Sequence, residues 1–163
     1  LTYIRPILEY ACTVLSPLPA TLNDRLERIQ RRAARLCLHL PLFEHRTHSV
    51  LLHRLKWPSL SSRRTLSHIL LAHSLHHRYA PPHLLAIHLP RIQPIRTLRF
   101  PRTFELPTTR TNRLRDSPIY ASLDLFNSIP PSIRQINPRR DFKANILPLV
   151  ISSVCTCSHC SAH

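Results

Sequence analysis

Between Leu22 and Leu40 the apolar positions recur at helical spacing. On a helix turning about 100° per residue, Leu22, Leu26, Ile29, Ala33, Leu36 and Cys37 share one stripe. Arg25, Arg28, Arg31, Arg32 and Arg35 occupy the adjoining and opposite arc. Thr21 or Asn23 is placed to cap the start, with Asp24 and Glu27 near it, where the helix dipole favours anions. Pro41 stops the helix. The pattern therefore predicts a helix with an apolar face to bury and a basic face turned outward.

The same reading extends along the chain. Residues 1–16 carry an apolar face through Tyr3, Ile4, Ile7, Leu8, Ala11, Val14 and Leu15, and Pro17 and Pro19 end it. Two helices joined so briefly are expected to pack as an antiparallel hairpin. A short helix over 48–56 precedes Trp57-Pro58, and Trp57 is expected to pack between apolar neighbours. Ser59 opens a long helix to about Tyr79, with apolar residues nearly all round its middle, so it is expected to be central. Residues 86–116 have no sustained helical period and read as a Pro- and Arg-rich coil arm. Residues 118–127 predict a short helix with Ile119, Tyr120, Leu123 and Phe126 inward, stopped by Pro130-Pro131. Residues 139–147 predict a last helical segment around Phe142, Ile146 and Leu147, ended by Pro148. No strand alternation is convincing. The expected class is all-α: a helical hairpin, further short helices and a long coil segment, making an incomplete domain. The expected divisions are 1–80, helical; 81–117, coil arm; 118–147, short helices; and 148–163, a disordered Cys/His tail.

Composition sharpens the basic helix into a candidate site. The 163 residues hold 23 Lys and Arg against 8 Asp and Glu, a formal charge of +15. Only Lys56 and Lys143 are lysines. Arginine suits bidentate phosphate contacts and stacking on bases. No acid occurs between Glu44 and Glu105. One sign of charge over so much chain implies a polyanionic partner, nucleic acid before an anionic membrane surface. Arg63 and Arg64 extend the candidate set. Glycine and methionine are both absent. A C-rich, G-poor coding strand would account for the composition, and the missing Met points to an internal or truncated piece of a longer product. The apolar runs are too short to span a bilayer.

Other chemistry is thin. The acids, Glu9, Asp24, Glu27, Glu44, Glu105, Asp116, Asp124 and Asp141, are scattered singly, whereas two-metal phosphoryl transfer needs clustered carboxylates. His73 and His77 stand one helical turn apart, but no His-Glu-x-x-His arrangement accompanies them. Cys155, Cys157, Cys160 and His163 give a C-x-C-x2-C-x2-H tail whose ligands suit structural zinc but whose spacing is not that of a usual finger. Five cysteines, an odd count, argue against a disulfide scaffold.

TYIRPILEYACTVLSP followed by LERIQRRAARL resembles the segment after the catalytic palm in reverse transcriptases of LINE-type non-LTR retrotransposons, in particular the jockey-like group. The likeness continues through LKWPSLSSRR, Arg110-Thr111-Asn112, Phe126-Asn127-Ser128-Ile129-Pro130 and Asp141-Phe142-Lys143. It thus covers the chain in order to about Leu147. The departures are Val14-Leu15 for the family's Val-Trp, Lys56 for its Gly before Trp-Pro, and Ser117-Pro118-Ile119-Tyr120 for its Phe-Pro-Arg run. The resemblance implies a thumb and C-terminal region that follows an RNA or RNA/DNA primer–template through its phosphates and works with a palm located elsewhere in the parent polymerase. The short apolar runs and the odd cysteine count lead to the expectation of no membrane association and a nuclear or cytoplasmic rather than secreted protein, and the scattered acids to no enzyme activity in this piece alone. The alternatives are a decayed transposon remnant without independent activity, or a domesticated basic helical adaptor binding RNA or acidic protein.

Overall fold

A computed structural model describes residues 3–16, 18–41, 48–85, 102–106 and 108–154. Its described residues form helices and connecting segments with no strand, so the chain is all-α. The helices are α1 (Ile4–Glu9), α2 (Ala20–Cys37), α3 (His48–Arg54), α4 (Leu60–His76), α5 (Pro82–Leu85), α6 (Asn112–Arg115), α7 (Pro118–Asn127), α8 (Pro131–Arg134) and α9 (Arg139–Val154). Contacts divide the chain into two units, residues 1–64 with 149–163, and residues 65–148.

In the first unit α2 packs on α3 rather than pairing chiefly with α1, as the hairpin expectation had it. Ala34, Leu51 and Leu52 form the buried centre, with Leu38, Leu40, Leu55 and Trp57 against it. Trp57 is therefore a packing residue, as expected. The first helix is shorter than the apolar pattern suggested: it stops at Glu9, and Ala11 takes a left-handed backbone conformation at φ 48°. The start of α4 is legible in the sequence. Ser59 Oγ accepts the backbone N–H of Ser62 at 3.1 Å, the bond an N-cap makes to the third helical residue. α2 begins without such a cap. Pro19 precedes it, and Pro19 C=O accepts from the backbone N–H groups of Leu22 and Asn23.

Three helix ends share one geometry. After α2, Leu40 N–H donates back to Arg35 C=O at 3.1 Å and His39 N–H to Leu36 C=O at 3.2 Å. After α3 the same pair runs from Trp57 to Leu52 at 2.9 Å and from Lys56 to His53 at 3.0 Å. After α4 it runs from Tyr79 to Ser74 at 2.8 Å and from Arg78 to Leu75 at 3.4 Å. These are Schellman closures, and each needs one residue in the left-handed region, usually glycine. A chain without glycine places His39, Lys56 and Arg78 there, at φ 51°, 52° and 59°. All three are basic residue types, which suits the negative end of the helix dipole.

The second unit is built round aromatic rings. Phe104, Phe126 and Phe142 are fully buried, with Leu123 and Ile146 among them. Phe104 meets Phe126 edge-on at 5.8 Å between centroids. α7 has the expected bounds: Pro118 sits at its first position, and Ser117 Oγ accepts Tyr120 N–H at 3.3 Å. Two expectations fail in this region and a third is extended. Part of the supposed coil arm is structured: residues 102–106 dock through Phe104, and α5 and α6 are short helices. Pro130-Pro131 does not merely stop α7, because Pro131 opens α8. Pro148 does not end the last helix, since α9 runs through it to Val154. Residues 86–101 and 107, the rest of the arm, lie outside the described residues, as do 155–163.

Candidate nucleic-acid interface

The face that α2 turns inward is polar along much of its length. Asn23, Glu27 and Gln30 stand at helical spacing and meet the segment that opens α4. Asn23 Oδ1 accepts from Arg64 Nη2. Glu27 Oε1 accepts the backbone N–H of Ser61 at 3.1 Å, a carboxylate at a helix N-terminus. Gln30 Nε2 donates to Pro58 C=O at 3.0 Å. Below them Ala34 and Leu38 join the apolar cluster. This side of α2 is covered because its hydrogen bonds and its small Ala34 side chain fit what lies there.

The predicted burial of the apolar stripe is thereby overturned. Leu22, Ile29 and Leu36 are 43%, 44% and 74% exposed, and Cys37 is exposed as well. Leu26 and Ala33, at the border, are half-buried. The arginine arc also divides. Arg25, Arg28 and Arg32 are exposed, while Arg31 and Arg35 are half-buried with their Nε atoms away from solvent. The structure thus brings Arg25, Arg28 and Arg32 together on one outward face, within a span of about two turns. It sets Arg31 and Arg35 round toward the packed side.

Arg63 and Arg64 stand on the first turn of α4 and are committed within the first unit. The Arg63 guanidinium pairs with the Glu9 carboxylate, donating from Nη2 to Oε2 at 2.9 Å, with a second, closer contact from Nε. Arg64 bonds Asn23. They tie the start of α4 to α1 and α2. The sequence reading counted Arg63 and Arg64 among the nucleic-acid-binding candidates, and only the positions of Glu9 and Asn23 reveal the pairing.

A second group of polar side chains was not singled out by the sequence. Arg134 is 3% exposed and reaches three uncharged oxygens. Its Nε donates to Ile129 C=O at 2.6 Å, Nη2 to Asn127 C=O at 2.9 Å and Nη1 to Thr103 Oγ1 at 2.9 Å. The guanidinium thus closes the carboxyl end of α7, where a cation is favoured. Burial pulls its pKa below the ordinary arginine value. The Phe-Asn-x-x-Pro stretch that carried the resemblance has a structural role here, since Asn127 and Arg134 together hold residues 103–104.

The histidines of α4 are inside the second unit. His73 is fully buried, stacked on Phe142 at 4.1 Å between centroids, and its Nε2 is 3.0 Å from Ile136 C=O. A carbonyl can only accept, so Nε2 carries the proton. His68 Nδ1 lies 2.7 Å from Ser122 Oγ, whose hydroxyl donates to Pro118 C=O at 2.6 Å. The other ring nitrogens, His73 Nδ1 and His68 Nε2, are buried without a hydrogen-bond partner. Both imidazoles are held below their usual pKa, first by burial. For His73 the Ile136 carbonyl opposes this while His77 and Arg139 reinforce it; for His68 the Pro118 carbonyl opposes it.

Among the described residues, no group of three or more His, Cys, Asp or Glu side chains is arranged to hold a metal ion. The predicted zinc ligands, Cys155, Cys157, Cys160 and His163, lie outside the described residues. Among the described residues no helix is long and apolar enough to cross a membrane. No known protein family, no curated protein and no solved structure matches the chain.

Proposed function

We propose that this chain is the nucleic-acid-binding C-terminal portion of a retrotransposon RNA-directed DNA polymerase, working with a palm that lies elsewhere in the parent protein. The observation that supports this reading is the outward group Arg25, Arg28 and Arg32 on one rigid helix of a chain with a formal charge of +15. Arginines spaced by three and four residues along a helix can follow one phosphate backbone, giving affinity with little sequence readout. The order of motifs from the first residues to Leu147 supplies the family. In this reading the piece binds and positions a primer–template duplex and carries no polymerase chemistry alone.

The test is a fluorescence-anisotropy titration of an RNA/DNA primer–template duplex by the whole chain across a salt series. Each neutralised phosphate adds about 0.7 to 0.9 to the slope of log affinity against log salt. Replacing Arg25, Arg28 and Arg32 by Gln is expected to flatten that slope by roughly two to three. Helicity should survive, because Gln is nearly as good a helix former as Arg. A slope unchanged by the triple substitution would reduce this face to solvated surface and remove the physical support for the reading.

A further inference from the structure

The exposed side of α2 carries more than arginines. Leu22, Ile29 and Leu36 follow one another at seven-residue intervals, all outward. This is the spacing of a helix-to-helix seam. At about 100° per residue the three lie within roughly 40° of one another. Arg25 and Arg32 run along one edge of them, with Arg28 further round. Neither edge holds a carboxylate: Asp24 falls on the far side, and Glu27 is turned inward to Ser61. The helix is 18 residues long, roughly 27 Å of straight surface.

A phosphate backbone would satisfy the arginines and leave three large apolar side chains in water. A purely apolar partner would do the reverse. An α-helix with an apolar stripe and Asp or Glu along one border satisfies both. We infer that the outward seam of α2 is a docking surface for such an acidic amphipathic helix from a partner protein. Leu22, Ile29 and Leu36 interdigitate with its apolar stripe, and Arg25 and Arg32 pair with its acids. A second copy of this chain fits poorly. Antiparallel pairing sets Arg25 and Arg32 against the same residues of the copy, and parallel pairing offers them no carboxylate. The inference goes beyond the nucleic-acid reading and does not depend on it; both ligands use Arg25 and Arg32, so an acidic helix and a duplex occupy this face in turn, not together.

The experiment uses the whole chain and two labelled synthetic helices of three heptads. Both have Leu at the seam positions; one is flanked by Glu and its twin by Lys. The Glu helix should bind, with the Lys twin weaker by at least about tenfold. Arg25→Glu with Arg32→Glu should invert that preference. Leu36→Ser should weaken the Glu helix about tenfold and leave both the melting curve and the salt slope for duplex unchanged, since Leu36 is exposed in the free chain. Equal binding of the two helices, or no effect of Leu36→Ser, would overturn the proposal. So would a concentration-dependent dimer abolished by Leu36→Ser, which assigns the seam to a second copy. Loss of duplex binding in Leu36→Ser would assign it to nucleic acid. Binding to anionic vesicles but to neither helix would assign it to lipid.

Discussion

The side-chain amide of Asn127 pairs with both backbone groups of Phe104. Its Oδ1 accepts Phe104 N–H at 3.1 Å and its Nδ2 donates to Phe104 C=O at 2.9 Å, so the amide acts as a rung of sheet would. Oδ1 also accepts Thr103 N–H at 3.0 Å. This is how an irregular segment brings a fully buried Phe104 to the aromatic core of the second unit. Each such bond contributes about 0.5 to 1.5 kcal/mol net. Asn127→Ala is therefore expected to cost about 2 to 4 kcal/mol, read as a lowered urea midpoint. Asn127→Asp should also destabilise, since a carboxylate cannot donate to Phe104 C=O. Wild-type stability in both variants would show that residues 102–106 are not held this way.

Arg134 offers a sharper test, because three of its hydrogen bonds go to uncharged oxygens. Arg134→Lys keeps the charge but not the fork that reaches Ile129, Asn127 and Thr103 together. Arg134→Met keeps the stem and leaves those oxygens without their donor. Both are expected to lose about 2 to 4 kcal/mol, with Lys no better than Met because its shorter, single ammonium is still buried. Thermal unfolding followed by circular dichroism compares them. A lysine variant equal to wild type would mean that charge alone, not the fork, closes α7.

The sequence made some of this legible and hid the rest for definite reasons. α7 could be read from Ser117-Pro118 and the spacing of Leu123 and Phe126, because capping and periodicity are local. The start of α4 at Ser59 was legible on the same ground. Periodicity also grouped Leu22, Ile29 and Leu36 correctly, but a shared face is not a buried face. Which side of α2 is covered depends on Pro58, Ser61 and Arg64, 28 to 41 residues away from their partners on α2. The same distance dependence separated Arg31 and Arg35 from Arg25, Arg28 and Arg32. Phe104 escaped notice because the segment around it has no period; its backbone is satisfied by one distant amide. At Pro148 a local rule misled, since the following residues continue helical and bury Val150.

Buried neutral histidines give the fold a pH dependence of known sign. His68 and His73 have folded pKa values below the unfolded value of about 6.5. Above that value both states are neutral and their contribution is intact. Below it the unfolded chain binds protons that the folded chain refuses, so stability falls as pH falls toward the folded pKa values. The slope reaches at most about 1.4 kcal/mol per pH unit for each group. Urea midpoints should be flat from pH 8 to about 7 and drop between about 6.5 and 5. His73→Phe, which keeps a ring against Phe142, should make the drop shallower. A flat profile through pH 5 would contradict the buried, half-bonded imidazoles.

Lys56 tests whether the three helix ends bear a cost that glycine would remove. It sits at φ 52° between His53 and Trp57, in the position where the Schellman closure of α3 requires left-handed backbone. It is also where the resembled family places glycine. A non-glycine residue gives up about 1 to 2 kcal/mol there. Lysine recovers about 0.3 to 1 kcal/mol as a cation near the helix C-terminus. Lys56→Gly should therefore raise stability by roughly 0.5 to 1 kcal/mol, the dihedral relief exceeding the lost charge. Arg78→Gly, at φ 59° after α4, should behave alike, and the two gains should add because they close different helices. Lys56→Val should lose stability, since a β-branched side chain tolerates positive φ worst. The check is chemical unfolding of the single and double variants at pH 7.5, where the buried His68 and His73 are neutral. A destabilised Lys56→Gly would mean that the lysine makes a contact worth more than its backbone costs.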